Sequence, residues 1–127
     1  MIALKRIYEP ATANDGRRIL VERLWPRGVK KSSAEVEQWA KEVAPSGTLR
    51  QWFHHDPARW EEFNRRYFRE LDGNEEIWEP ILAASGKGRV TLIYSSHDRE
   101  HNNAVALRDY LQRKQSSRAR QGLRKSA

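Results

Sequence analysis

Residues 18–25 (RILVERLW) place apolar side chains on both parities of an extended chain, with Ile19, Leu20, Val21, Leu24 and Trp25 among them. A strand apolar on one parity can leave its other face in water. This one requires cover on both faces, as strands inside parallel sheets do. Two further runs read as strands, 2–8 (IALKRIY) and 89–95 (RVTLIYS), the last supported by β-branched residues. The link between the first two strands is short and carries turn residues from Thr12 to Gly16. By length alone it predicts a hairpin, because a parallel crossover normally takes about a dozen residues.

Helical spacing dominates the middle of the chain. Ser32 and Glu35 hold the positions of a capping box, and Val36, Trp39, Ala40 and Val43 follow at i, i+3, i+4 and i+7 before Pro45. Ser46 caps a short turn with Leu49, Trp52 and Phe53. Asp56–Pro57 pairs an N-cap with proline at the first helical position, opening a helix that carries Trp60, Phe63, Tyr67, Phe68 and Leu71. Asn74 opens another with Ile77, Trp78, Ile81 and Leu82, which Pro80 kinks or restarts. Gly86–Gly88 reads as a turn, and Asp98 caps a last helix with Ala104, Leu107 and Leu111 on its apolar face. The fold class is therefore α/β: one domain over 1–113, with a small, mostly parallel sheet (strands near 2–8, 18–25 and 89–95) flanked by helices.

The formal charge of +7 resembles a nucleic-acid signature until it is located. No acidic residue follows Asp109, whereas Arg113, Lys114, Arg118, Arg120, Arg124 and Lys125 all do. Without those six the chain is about one positive charge from neutrality. Residues 114–127 read as a disordered basic tail, too polar to bury what ordering requires. The tail offers weak, non-specific contact with nucleic acid and no sequence readout. The absence of cysteine excludes disulfides, thiolate metal sites and a cysteine nucleophile. It fits a cytoplasmic protein, as does the lack of a signal peptide or an apolar run of membrane-spanning length.

In α/β sheets ligands bind beyond the carboxyl ends of the strands, and two polar loops lie there. The first is RLWPRG, where Arg23 and Arg27 are set in a segment stiffened by Pro26. Guanidinium forks suit carboxylate or phosphate; the alternative is that Arg23 pairs with an internal carboxylate. Trp25 either stacks on a ligand or belongs to the core. The second loop, Ser95-Ser96-His97-Asp98, supplies hydroxyls, an imidazole and a carboxylate near a helix N-terminus, where anions are favoured; the alternative is plain capping. His97 and Asp98 are the candidates for acid–base chemistry. The ligand-binding set is Arg23, Trp25, Arg27, Ser95, Ser96 and Asn102. No metal or cofactor is expected, since His54-His55-Asp56 and the pair His97/His101 are poorly placed for ligation, and GKG at 86–88 precedes a strand rather than a helix.

Over most of residues 3–112 the motifs KRIY, DG-R-ILVERLWPRGVKK, WFHHDP and VTLIYSSHD resemble the YeaO-like branch of domain of unknown function 488. The resemblance implies a small α/β protein of bacterial type with a mostly parallel sheet, which argues against the hairpin. It also implies that Arg23, Pro26, Arg27, Asp98 and Asn102 are shared polar or special positions. More distant relatives carry Cys-His-Arg near the place of His101-Asn102-Asn103, so chemistry requiring that cysteine is out of this chain's reach. No activity follows from the resemblance. The expectation is an anion-binding cleft at the strand ends, with nucleic-acid association through the tail as the alternative.

Overall fold

Ile2–Arg6 (β1), Arg17–Leu20 (β2), Gln38–Trp39 (β3) and Val90–Tyr94 (β4) form one sheet in the order β1-β4-β2-β3, with every neighbouring pair parallel. The structure, a computed structural model, describes residues 1–126, with side chains through residue 122. Leu92 lies opposite Leu4 on one side and Ile19 on the other, so the hairpin expected from link length is wrong. Residues 7–16 instead return the chain past β4. A 3₁₀ turn at Ala13–Asp15 and Gly16 in the left-handed region (φ 62°) make so short a return possible. A Cβ on Gly16 would stand 2.2 Å from the Arg89 carbonyl oxygen, so only glycine fits.

The central strands are covered on both faces, as their sequence requires, but by different material. Ile2, Ile19, Val21, Val90, Leu92 and Tyr94 face four helices: Gly47–Phe53 (α1), Trp60–Asp72 (α2), Glu75–Lys87 (α3) and Asn103–Ser126 (α4). Phe63, Tyr67, Leu71, Ile81, Leu107 and Leu111 fill that layer. The buried Tyr67 hydroxyl donates to the Val43 carbonyl at 2.5 Å, and burial raises its pKa well above the usual phenol value. The opposite parity, Leu20 and Ile93 with Ile7, packs against Ala34, Trp25, Val29, Val36 and Trp39 from an irregular segment. Helices therefore flank one face only.

Several local expectations hold. The Ser46 hydroxyl accepts from Leu49 N, and Asp56 accepts from Ala58 N ahead of α2. The helix expected over 32–43 is absent. Lys31–Ser33 and Lys41–Val43 are 3₁₀ turns, and Gln38–Trp39 is an edge strand. The physical reason is that this segment crosses the edge of the sheet. Val36 and Trp39 belong to one apolar layer, Ala40 and Val43 to the other. One spacing serves two cores and imitates a helical stripe. Pro80 neither stops nor restarts α3, which runs continuously from Glu75 to Lys87 and takes in Gly86. The basic segment from 114 onward, expected to lack order, continues α4 to Ser126. Among the described residues no helix is long and apolar enough to cross a membrane.

Candidate functional site

The RLWPRG loop splits its side chains between two surfaces. Trp25 turns to the second face of the sheet, where its indole donates to Val29 O at 2.7 Å and its ring meets Trp39 edge-on at 5.4 Å. Lys31 stands over both rings, and Pro26 is buried. Trp25 is thus a core residue. Arg23 turns the other way: its Nε and Nη2 donate to Pro45 O, and Nη2 also to Ala44 O, all at 3.3 Å. Arg27 is exposed. Its carbonyl accepts from the Tyr8 hydroxyl at 3.1 Å, and no hydrogen bond or ion pair among the described residues engages its guanidinium.

β2 and β4 are neighbours and parallel, so the segments following them meet. Ser95 N donates to Glu22 Oε1 at 2.7 Å, and the Ser95 hydroxyl lies 2.9 and 2.7 Å from the two Glu22 oxygens. Arg6 fixes the same loop from beneath through the Ser95 and Ser96 carbonyls, at 3.1 and 2.8 Å. Beyond it, Asp98 Oδ1 accepts from Glu100 N and His101 N, both at 2.9 Å, while Oδ2 lies 3.0 Å from His101 Nδ1. The Glu100 N–H, aided by the His101 N–H and ring, holds the Asp98 carboxyl below its ordinary pKa. An ionised Asp98 favours a proton on Nδ1 and leaves Nε2 as the open position of that ring. Asn102, rather than Asp98, caps α4, accepting from Val105 N at 3.1 Å while its amide donates to Asp98 O at 2.9 Å. His97 points out to solvent, 3.4 Å from Arg6 Nη2.

The third wall comes from α1 and α2. After α1 the chain passes through two successive left-handed residues, His54 (φ 48°) and His55 (φ 53°). Neither is glycine or asparagine, and such a conformation costs roughly 1–2 kcal/mol per residue. The turn lays the His55 ring beside Phe53, which packs on Phe63 at 4.4 Å. Trp60 stands edge-on to His101 at 5.4 Å. Between these walls lies a cleft of about 150 Å³ whose polar lining includes Glu22, Arg23, Arg50, His55, Ser95 and His101. No hydrogen bond or ion pair among the described residues engages the exposed Arg50 guanidinium.

Of the residues singled out from sequence, Arg23, Ser95, Ser96 and Asn102 line the cleft; Trp25, Arg27, His97 and Asp98 do not, although Asp98 orients His101. Sequence reasoning missed Glu22, Arg50, His55 and His101 as lining residues. Glu22 was within reach, being next to Arg23 at a strand end. Arg50 and His55 carry no signal, because their position depends on how α1 packs. Among the described residues no three His, Asp or Glu side chains converge as a metal site. In the basic segment, Lys114 lies 3.7 Å from Asp72, and Arg118 is held by Glu79 at 2.5 Å and Glu75 at 3.3 Å. Arg113 lies over Phe68, and Arg120 is exposed. The side chains of Arg124 and Lys125 fall outside the described residues.

The chain matches the family model described as the inactive DUF488-N3 subclade over residues 1–127, so the match includes the basic segment. It is 40% identical over 110 residues to the uncharacterised protein YeaO of Escherichia coli, covering 87% of this chain and 96% of the relative. Uncharacterised proteins of Mycobacterium tuberculosis and Mycobacterium bovis are each 36% identical over 110 residues, covering 87% of this chain and 92% of the relatives. No solved structure matches the chain.

Proposed function

The chain belongs to the inactive DUF488-N3 subclade, and from that premise we propose that it is a cytoplasmic protein whose cleft binds a small anion without transforming it. The observation that carries this reading is Arg50: a guanidinium with no hydrogen-bond or ion-pair partner among the described residues, in the same cleft as Arg23, with phenylalanine rings forming part of the walls. Arginine is favoured where carboxylate or phosphate is gripped, because it is always charged and donates in a fixed fork. Partly apolar walls strengthen such contacts by lowering the local dielectric. The volume suits a small ligand, since pockets for drug-sized molecules run to roughly 300–1,000 Å³. The nucleic-acid alternative is weakened because Lys114 and Arg118 are engaged by acidic residues of α2 and α3.

The test is thermal stabilisation of the full chain by phosphate, sulfate and small carboxylates, repeated with Arg50→Ala. We expect stabilisation by at least one class and its loss in the variant. If none of these anions stabilises the unaltered protein, the reading is wrong.

A further inference from the structure

Glu22 is a group for which a plain anion site has no use. Its carboxylate lines the same small cleft as Arg23 and Arg50, yet no ion pair within 4 Å among the described residues joins it to either. Its accepting capacity is also not filled. A carboxylate offers about four lone-pair positions, and among the described residues its donors are the N–H and hydroxyl of Ser95 alone. A phosphate drawn in by Arg23 and Arg50 would meet a negative charge that repels it, more strongly for the partial exclusion of water. Opposite charges that share a cleft without neutralising each other favour a guest that carries both.

Resting on the anion-binding reading, we propose that the ligand is a compact zwitterion, an α-amino acid or close analogue. Its carboxylate meets Arg50 and the outer edge of the Arg23 guanidinium. Its protonated amine donates to Glu22. Its side chain lies against Phe53 and Phe63, and the volume of about 150 Å³ keeps that side chain small. The left-handed turn at His54–His55 sets the wall on which the side chain rests.

Calorimetric titration of the full chain tests this with L-alanine, L-valine and L-leucine. Each is measured beside the acid that lacks its amine: propionate, 3-methylbutanoate and 4-methylpentanoate. Inorganic phosphate is a further probe. A charge-assisted hydrogen bond to Glu22 makes at least one amino acid bind roughly tenfold more tightly than its amine-free acid. Glu22→Gln brings the two to similar affinity without weakening the acid. If the acids or phosphate bind as well as or better than every amino acid, the zwitterion proposal is overturned and the anion reading stands. If no probe binds, both fall. Should Glu22→Gln not fold, because Glu22 also holds Ser95, the comparison of ligands on the unaltered protein decides alone.

Discussion

The molecule holds two groups of charged residues with nearly the same ingredients and opposite arrangements. Beside the start of β2, Asp15 accepts from Lys5 Nζ at 2.9 Å, from Arg18 Nη1 at 2.7 Å, and from Thr12 N and its hydroxyl. Arg18, 5% exposed, also donates through Nε to the Glu35 carbonyl and through Nη2 to the Ala34 carbonyl. At the other end of the strands, Glu22, Arg23 and Arg50 share a cleft and leave one another unpaired. The first group is closed: its members satisfy each other, and it ties β1, β2 and the segment after Ser33 together. The second is open, with charge turned toward space. A buried charge is tolerated when it is paired and hydrogen-bonded. Charge left unpaired in a partly apolar cleft is where the protein gives up internal compensation for something else to supply.

The closed region should answer to substitution in stability alone. Gly16→Ala is the most severe change, since it forces a side chain into the left-handed region and within 2.2 Å of the Arg89 carbonyl oxygen. Left-handed cost and overpacking together give about 4 kcal/mol, read as a lowered midpoint in urea unfolding. Asp15→Asn follows at about 3 kcal/mol, because it leaves Arg18 buried without its counter-charge. Its pH dependence has a definite sign. Burial alone would raise the Asp15 pKa, but the hydrogen bonds from Lys5, Thr12 and Arg18 outweigh it and hold the carboxyl well below the usual carboxylate range. A depressed folded pKa contributes stability that is complete above the unfolded value of about 4 and lost as pH falls toward the folded one. The gap between wild type and Asp15→Asn should therefore be constant from neutral pH down to about 4 and narrow below it. A gap that narrows above pH 5 would show that Asp15 is not held as the geometry implies.

The sheet was legible because its information is local. Ile19, Leu20 and Val21 announce cover on both faces, and the β-branched residues of Val90–Tyr94 mark it as a strand. So were the starts marked by Ser46 and Asp56, where cap and helix are adjacent in sequence. Strand order was not legible, because the insertion of β4 between β1 and β2 depends on pairing across more than seventy residues. Residues 32–43 misled for a different reason: periodicity records which positions are buried, not which of two layers buries them. The order of α4 past residue 113 rests on Lys114 and Arg118 reaching acids some forty positions earlier, a relation that composition does not contain. The cleft shows both limits at once. Its floor, Glu22 and Arg23 with Ser95 and Ser96, follows from strand ends; its far wall, Arg50 and His55, follows only from packing.

Substitutions in the open region should separate binding from stability. Arg23→Ala is intermediate, because its guanidinium also holds the Ala44 and Pro45 carbonyls. It should cost about 1 kcal/mol of stability and weaken anion binding. Arg50→Ala should change stability by no more than about 0.5 kcal/mol, as exposed substitutions generally do, and still remove the stabilisation that anions give.

Arg27 gives the smallest effect and the sharpest contrast. In the sequence it is the twin of Arg23, set symmetrically about Trp25 and equally suited to an anion. The structure parts the two: Tyr8 takes the Arg27 carbonyl, and the guanidinium is left in solvent outside the cleft. Arg27→Ala should leave both the unfolding midpoint and anion affinity unchanged, measured side by side with Arg23→Ala. If it instead abolishes binding while Arg50→Ala does not, the ligand sits over the outer loop, and the open region has been drawn on the wrong side of Trp25.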